Sequence, residues 1–516
     1  MRDKSGGKAI AAGGFGCVFE PALKCKGKSR ESGISKVLIK KYAEDEMNEM
    51  KNVSNVLTKI NNHNDYFVGA TATMCELDPL TTDDKLNFNT KCDNLIKKGI
   101  NESNVNTKLN ELRSIDLPYG GLEIMNFLKK YGLTGYNFGK VNTSLIKLLN
   151  KAIVPMNNLK LLHLDLKSPN ILINDSYQTK IIDWGLSAIQ TDVDVIPDAI
   201  KNRPFMYNTP FSVCLFNNKF KNFIRTKITN ILRTLGKPIT SLNSIREDIK
   251  LSMYEWIYLF RNDGYSGHYN YISTLFKNEI LMNYSDYPKD YTNTINNTEY
   301  YEMLNGSYLK NYIVNELTEV VIKYTTVSGD FEDVKFFNEA YKHNVDIWGF
   351  LSTYYDILSL CRSGSLLPHK ESPVLSHNII GILNKYLFNP KQQIEPINIE
   401  DLSRDLNSLN SLVGYSTKTP SPLTPVSKSV SALLTASIPP KPPTPPLIPG
   451  PKAVAYSISS SKSKKISSRV KSSKRIVSPK KTRKRHVTCD DAKKVKCVAM
   501  GKVCNEATGR CLAKKK

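Results

Sequence analysis

The chain has 516 residues, 40% apolar and 23% charged, the profile of a globular protein with room for one large domain plus extensions or for two to three domains. Its formal net charge of +24 is concentrated: from Ser416 onward Lys and Arg outnumber acids by 21, which leaves +3 for residues 1–415. A nearly neutral body confines any attraction for nucleic acid or acidic surfaces to the tail. No apolar run reaches bilayer length, and Met1-Arg2-Asp3-Lys4-Ser5-Gly6-Gly7 has no apolar stretch behind it, so neither a membrane span nor a secretory signal is expected. Cys17, Cys25, Cys75, Cys92, Cys214 and Cys361 are scattered through the body, where free buried thiols in a reduced, intracellular protein are the expectation.

Lys8–Phe19 reads as strand, glycine turn and strand, and Lys36–Lys41 as a short branched strand. Met47, Met50, Val53, Val56, Leu57 and Ile60 recur at helical spacing, predicting a helix from about Glu44 to Ile60. Asp78–Asn110 is polar and poorly patterned, a surface insertion. Arg113–Leu117 reads as a strand and Pro118-Tyr119-Gly120-Gly121 as a hinge, beyond which the patterns are helical. After Val413 the composition turns to Pro, Ser and Lys, which buries too little apolar surface to fold.

Phosphoryl transfer needs a backbone cradle for phosphates, a cation on them, oxygen ligands for a metal and a carboxylate near the attacking hydroxyl. Candidates for each appear in order. Ala11, Gly13, Gly14, Gly16 and Val18 form a turn whose N–H groups can approach phosphates closely, although such hairpin glycines are common. Lys40 ends the strand-like Val37-Leu38-Ile39 and is the candidate phosphate anchor. Glu44, Glu46 and Glu49 compete to hold it, Glu49 favoured and Glu46 second. The strongest signal runs from His163-Leu164-Asp165-Leu166-Lys167 through Ser168-Pro169-Asn170 to Ile181-Ile182-Asp183-Trp184-Gly185. Asp165 would take or orient the hydroxyl proton, Lys167 would neutralise charge on the moving phosphoryl group, and Asn170 and Asp183 would hold Mg²⁺.

These motifs resemble those of the eukaryotic-type protein kinases over about residues 8–400. The resemblance implies an α+β bilobal fold with a β-rich N-lobe (1–121), a helical C-lobe (122–414) and ATP with Mg²⁺ between them. Lys167 and Asn170 after Asp165 are similar to the Ser/Thr branch, which implies protein substrates. Asp346-Ile347-Trp348-Gly349 resembles the helix motif whose aspartate braces the catalytic loop. Departures are Ala11 for a glycine, Leu38 for a small residue above the adenine, Leu164 for an arginine that grips a phosphorylated loop, and Trp184 for phenylalanine. Thr209-Pro210-Phe211 is the nearest counterpart of Ala-Pro-Glu, and about 135 residues separate it from Asp346, an insertion centred on 215–340. Without the arginine, activity is expected not to require loop phosphorylation. The rival readings are a pseudokinase serving as a virion scaffold, and a basic DNA-tethering protein with a vestigial kinase body.

Residues 415–487 read as a disordered linker whose Lys462–Arg485 run allows weak contact with nucleic acid or acidic surfaces, or a nuclear address. Cys489, Cys497, Cys504 and Cys511 lack the close pairs of a zinc ribbon. Met500–Cys511 resembles the two-cysteine adaptor module of large nucleocytoplasmic DNA viruses, which implies an interaction hook at 488–516 for viral structural proteins, and a location in host cytoplasm and virion.

Overall fold

A computed structural model of the chain describes residues 7–12, 16–29, 32–69, 72–276, 307–362, 371–415, 502–505 and 510–513. The chain divides into two units, Met1–Pro446 and Leu447–Lys516. The first is α+β. Its antiparallel sheet comprises β1 (Lys8–Ala12), β2 (Gly16–Glu20), β3 (Ile34–Ile39), β4 (Thr73–Cys75) and β5 (Leu112–Leu117), in the order β1-β2-β3-β5-β4. Helix α1 (Lys40–Leu57) follows β3 with no linker. The expected strand therefore stops at Ile39, and the expected helix starts four residues early. Lys40-Lys41-Tyr42-Ala43 holds no breaker, and Lys and Ala favour helix once the branched run Val37-Leu38-Ile39 has ended.

Alternation along the strands gives the sheet two buried faces. On one, Cys17, Phe19, Val37 and Leu112 pack against Leu77, Leu80, Phe88, Leu95, Ile100 and Val105. Asp78–Asn110 is thus not a loose polar insertion but a cap over the sheet, with short helices α2 (Phe88–Lys91) and α3 (Asp93–Ile96). Its apolar residues are few and irregularly spaced, which is why they show no period, yet each buried Phe or Leu is worth roughly 1.5–3 kcal/mol.

The cap is also covalently fastened. Cys17 on β2 is bonded to Cys92, and Cys25 to Cys75 on β4, with Cα separations of 5.0 and 5.8 Å. This corrects the expectation of free thiols for four of the six body cysteines; Cys214 and Cys361 are buried and take part in neither bond. Beside the second bond, Asp116 Oδ1 accepts hydrogen bonds from Ser35 Oγ (2.5 Å) and Ser114 Oγ (2.6 Å). On the other face, Leu38 packs with Ala43 and Ile115 beneath α1.

The helical part begins with β6 (Leu122–Glu123), α4 (Ile124–Tyr131), α5 (Gly135–Leu148) and α6 (Val154–Asn158). Thr134 caps α5, its hydroxyl accepting from Asn137 N at 3.1 Å. Short strands β7 (Leu161–Leu162), β8 (Ile171–Ile173), β9 (Thr179–Ile181) and β10 (Ala188–Ile189) flank the loop segments that carry Asp165 and Asp183. The 215–340 region builds α7 (Phe220–Leu235), α8 (Arg246–Phe260), α9 (Tyr269–Leu275) and α10 (Ser307–Tyr324). Leu309, Ile313, Val314, Leu317, Val320 and Val321 bury α10 in the main core, so this insertion is a structural layer of the domain. Helix α11 (Lys342–Leu351) is buried on nearly every side, from Asn344 to Leu351. Three helices close the unit: α12 (Tyr354–Arg362), α13 (Glu371–Tyr386) and α14 (Ile399–Leu412).

In the second unit a hairpin pairs β11 (Lys502–Asn505) with β12 (Arg510–Ala513), and Cys504 is the direct backbone partner of Cys511. The linker from 416 to 487, Cys489 and Cys497 lie outside the described residues, as do Gly13 and Gly14 of the glycine turn. No helix among the described residues is long and apolar enough to cross a membrane.

Candidate active site

Antiparallel pairing sets one row of residues directly opposite each other: Ala11 with Val18, Val18 with Lys36, Lys36 with Ile115, and Ile115 with Met74. Directly paired residues share a face, so the lysine aligned with Ala11 and Val18 is Lys36. Its Nζ lies 2.5 Å from Glu46 Oε1 of α1, both side chains being less than one-fifth exposed. Lys40, the sequence candidate, is the exposed first residue of α1 and has no carboxylate partner among the described residues. Glu46, the second choice, holds the strand lysine. Glu49 lies one turn further on, near Asp183: a Cβ added to Gly185 would sit 3.7 Å from Asp183 Oδ1 and 3.9 Å from Glu49 Oε2. Burial, with the neighbouring Glu46 and Asp45 carboxylates, pushes the Glu49 carboxyl above its usual range. Ile34-Ser35-Lys36-Val37 shows no clean alternation of apolar and polar residues, and the solid apolar run before Lys40 was the louder signal. Gly16 serves the sheet itself, since a Cβ there would lie 2.0 Å from Val37 O.

Asp165 sits in the loop after β7 and is nearly fully buried. Lys167 Nζ lies 2.7 Å from its Oδ2, Asn170 Nδ2 donates to its backbone oxygen (2.8 Å) and to Oδ2 (3.2 Å), and Asn208 Nδ2 donates to Oδ1 (3.0 Å). The structure thus gathers Asp165, Lys167 and Asn170. Asp183 is brought to the same loop by the bond from Ile182 N to Asn170 O (3.0 Å). Its carboxylate is exposed and its backbone is left-handed at φ +67°. Leu164 is also left-handed, at φ +62°. Non-glycine residues in that region cost roughly 1–3 kcal/mol and collect where a site demands them.

The loop is anchored from below by α11. Asp346, fully buried, accepts from His163 N and Leu164 N, each at 2.8 Å. Burial pushes its carboxyl upward, while His163, those amides and Arg203 pull it back. His163 Nδ1 accepts from Asp165 N (3.2 Å), so the ring proton is on Nε2, which faces Ile182 O at 3.0 Å. The imidazole packs on Trp184 (centroids 4.7 Å apart), which in turn meets Phe67 (5.7 Å) beside α1.

Residues 190–217 are held by contacts that sequence reasoning missed. Arg203 is buried and donates from Nη1 to Leu164 O (2.9 Å), and Trp348 Nε1 donates to Tyr207 O (3.2 Å). Ser212 N donates to Glu316 Oε1 of α10 (2.9 Å). Arg203 is isolated in the sequence, 39 residues from its partner, and carries no local motif. No family model and no curated protein matches the sequence.

The donor set suits the groups the motifs imply. Asp183 offers a carboxylate and Asn170 an amide oxygen, both hard ligands fit for Mg²⁺, while the amide nitrogen of Asn170 is committed to Asp165. Ser168 Oγ, Asn208 Oδ1 and Thr209 Oγ1 are buried without partners. Such atoms are uncommon in folded proteins and cost free energy unless water, an ion or a substrate completes them.

Proposed function

We propose that the chain is a protein kinase of the Ser/Thr type with a bilobal kinase-like body, using ATP and Mg²⁺. The observation that carries this reading is the convergence of Lys167, Asn170 and Asn208 on Asp165, on a loop braced by Asp346, with the Lys36–Glu46 pair on the sheet. Asp165 accepts the proton of the attacking hydroxyl, or orients it. Lys167 is placed to leave Asp165 for the transferring phosphoryl oxygens. Lys36, held by Glu46, anchors phosphates. Asn170 and Asp183 hold the metal, which when bound supplies neutralisation of phosphate charge. Arg203 and Glu316 hold the loop before α7 with no phosphate, which favours activity without loop phosphorylation. The tail supplies tethering to viral structural proteins or acidic surfaces.

The test is phosphate transfer from ATP to a generic basic protein and to the chain itself. Wild type and Lys40→Ala should transfer at similar rates, while Asp165→Asn, Asp183→Asn and Lys36→Ala should lose about 10²-fold or more. A folded wild type that binds nucleotide without transfer sinks the reading and leaves the scaffold.

A further inference from the structure

The insertion meets the segment before Asn208 through a backbone clasp. Phe205 N donates to Tyr265 O (3.2 Å), and His268 N donates back to Phe205 O (2.8 Å), so residues 265–268 lie clasped to the strand-like segment just before Asn208. Gly267 between them is left-handed at φ +49°, and a Cβ there would lie 2.2 Å from Phe205 O; only glycine lets the two backbones meet this closely. The clasp sets the His268 ring against Tyr207, 5.7 Å between centroids, and Tyr271, 6.4 Å. Tyr207 directly precedes Asn208, whose amide is bonded to Asp165.

His268 Nδ1 is buried and has no partner. It stands just before α9 yet makes no side-chain capping bond to that helix, so capping does not account for Nδ1. Burial, together with the positive charge of Lys167, holds the imidazole below its usual range despite Asp165. His268 therefore lies within the electrostatic reach of both groups at the candidate catalytic centre. With Ser168 Oγ, Asn208 Oδ1 and Thr209 Oγ1, it makes a fourth unpartnered buried polar atom around Asp165 and Lys167. Ser168 and Thr209 lie in motifs read from the sequence and Asn208 directly precedes Thr209; the fourth is delivered by the insertion.

Resting on the kinase reading, we propose that His268 is a substrate-positioning residue: the 215–340 insertion delivers its imidazole to the acceptor side of Asp165, where it hydrogen-bonds the polypeptide that carries the attacking hydroxyl. A neutral ring flanked by Tyr207 and Tyr271 suits a peptide backbone group better than a charged side chain. The insertion is then part of acceptor recognition as well as a structural layer. Its role is confined to the protein substrate, since ATP is bound from the sheet side through Lys36.

The experiment uses the full chain with a basic protein acceptor and compares wild type, His268→Ala, His268→Gln and Asp165→Asn. The expected result is a rise of about tenfold in the acceptor KM for His268→Ala, larger than any change in kcat or in the KM for ATP. His268→Gln, which keeps a hydrogen-bonding amide, should recover most of it. An acceptor KM unmoved by His268→Ala overturns the inference while leaving the kinase reading intact. So does a change that tracks a lowered melting temperature and is not rescued by Gln, since that is a packing role. A wild type with no transfer, or transfer that survives Asp165→Asn, overturns the kinase reading and this inference with it.

Discussion

Lys36 stands on a sheet of strands three to six residues long, with one face under α1 and the other tied down by two disulfides. Asp165 stands in a helical part whose core runs from α4 to α14 and whose two cysteines, Cys214 and Cys361, form no disulfide. Short strands bury little surface per residue, so the sheet part relies on cross-links and a cap, as small domains do. The helical part has core to spare and holds its loop with one buried carboxylate. Covalent constraint and buried polar anchoring thus do the same job where core size differs. The comparison teaches where each half is vulnerable: the sheet to reduction, the helical part to loss of a single polar group.

The largest expected effect tests the anchor. Asp346→Ala strands the amides of His163 and Leu164 in a dry core and frees a loop that contains left-handed Leu164. An orphaned buried donor costs about 1–3 kcal/mol, so a loss of about 3–5 kcal/mol in urea unfolding is expected, with transfer reduced at least as much as in Asp165→Asn. Asp346→Asn, which keeps one acceptor, should lose less. Equal and small losses in both would mean that the loop is held by Arg203 and Trp184 instead.

Next comes the covalent side. The pairs Cys17/Cys92 and Cys25/Cys75 close stretches of 75 and 50 residues, so replacing either pair with serine should cost about 2–4 kcal/mol. Cys361→Ser, in the helical part, leaves both disulfides in place, so a dithiol reductant should lower its melting temperature by as much as it lowers that of wild type. If reductant leaves the wild-type melting curve unmoved, the cap is held by its apolar residues alone and the contrast between the halves collapses.

How much of this was legible follows the same division. The Asp165 loop is local: its residues lie within about twenty positions of one another, and a contiguous motif carries them. The brace Asp346, 183 residues away, was legible only because a motif surrounds it. The sheet half was harder. Lys40 outcompeted Lys36 because a one-dimensional reading cannot see that the helix begins at once after Ile39. The cap was missed because its apolar residues follow no period, and the disulfides because pairing depends on how that cap folds back. Arg203 and Asn208 could not be found at all, since each bonds a residue distant in sequence, and neither could His268, which only the fold of the insertion brings beside Tyr207.

The smallest expected effect concerns Glu316, a charge-capable group inside the otherwise apolar layer that the insertion adds. One carboxylate oxygen accepts from Ser212 N, and the other, Oε2, is buried without a partner. Burial pushes the carboxyl from its ordinary 4.5 up to about 8, only partly opposed by hydrogen bonds from Ser212 and Phe211. Below about pH 4.5 the group is protonated folded or unfolded, and no penalty arises. As pH rises the unfolded chain ionises first while the folded chain keeps its proton, so stability falls across the window and levels off above about pH 8. Glu316→Gln removes the titration. It should therefore unfold at a higher temperature than wild type at pH 8, by on the order of 1–3 kcal/mol, with the advantage shrinking toward pH 5. The gain stays below the full shift because the amide also leaves a polar atom buried in the same place. A pH-independent difference between the two proteins would mean that Glu316 is ionised in the folded chain, and that α10 supports the Ser212 loop with a charge rather than with a neutral acid.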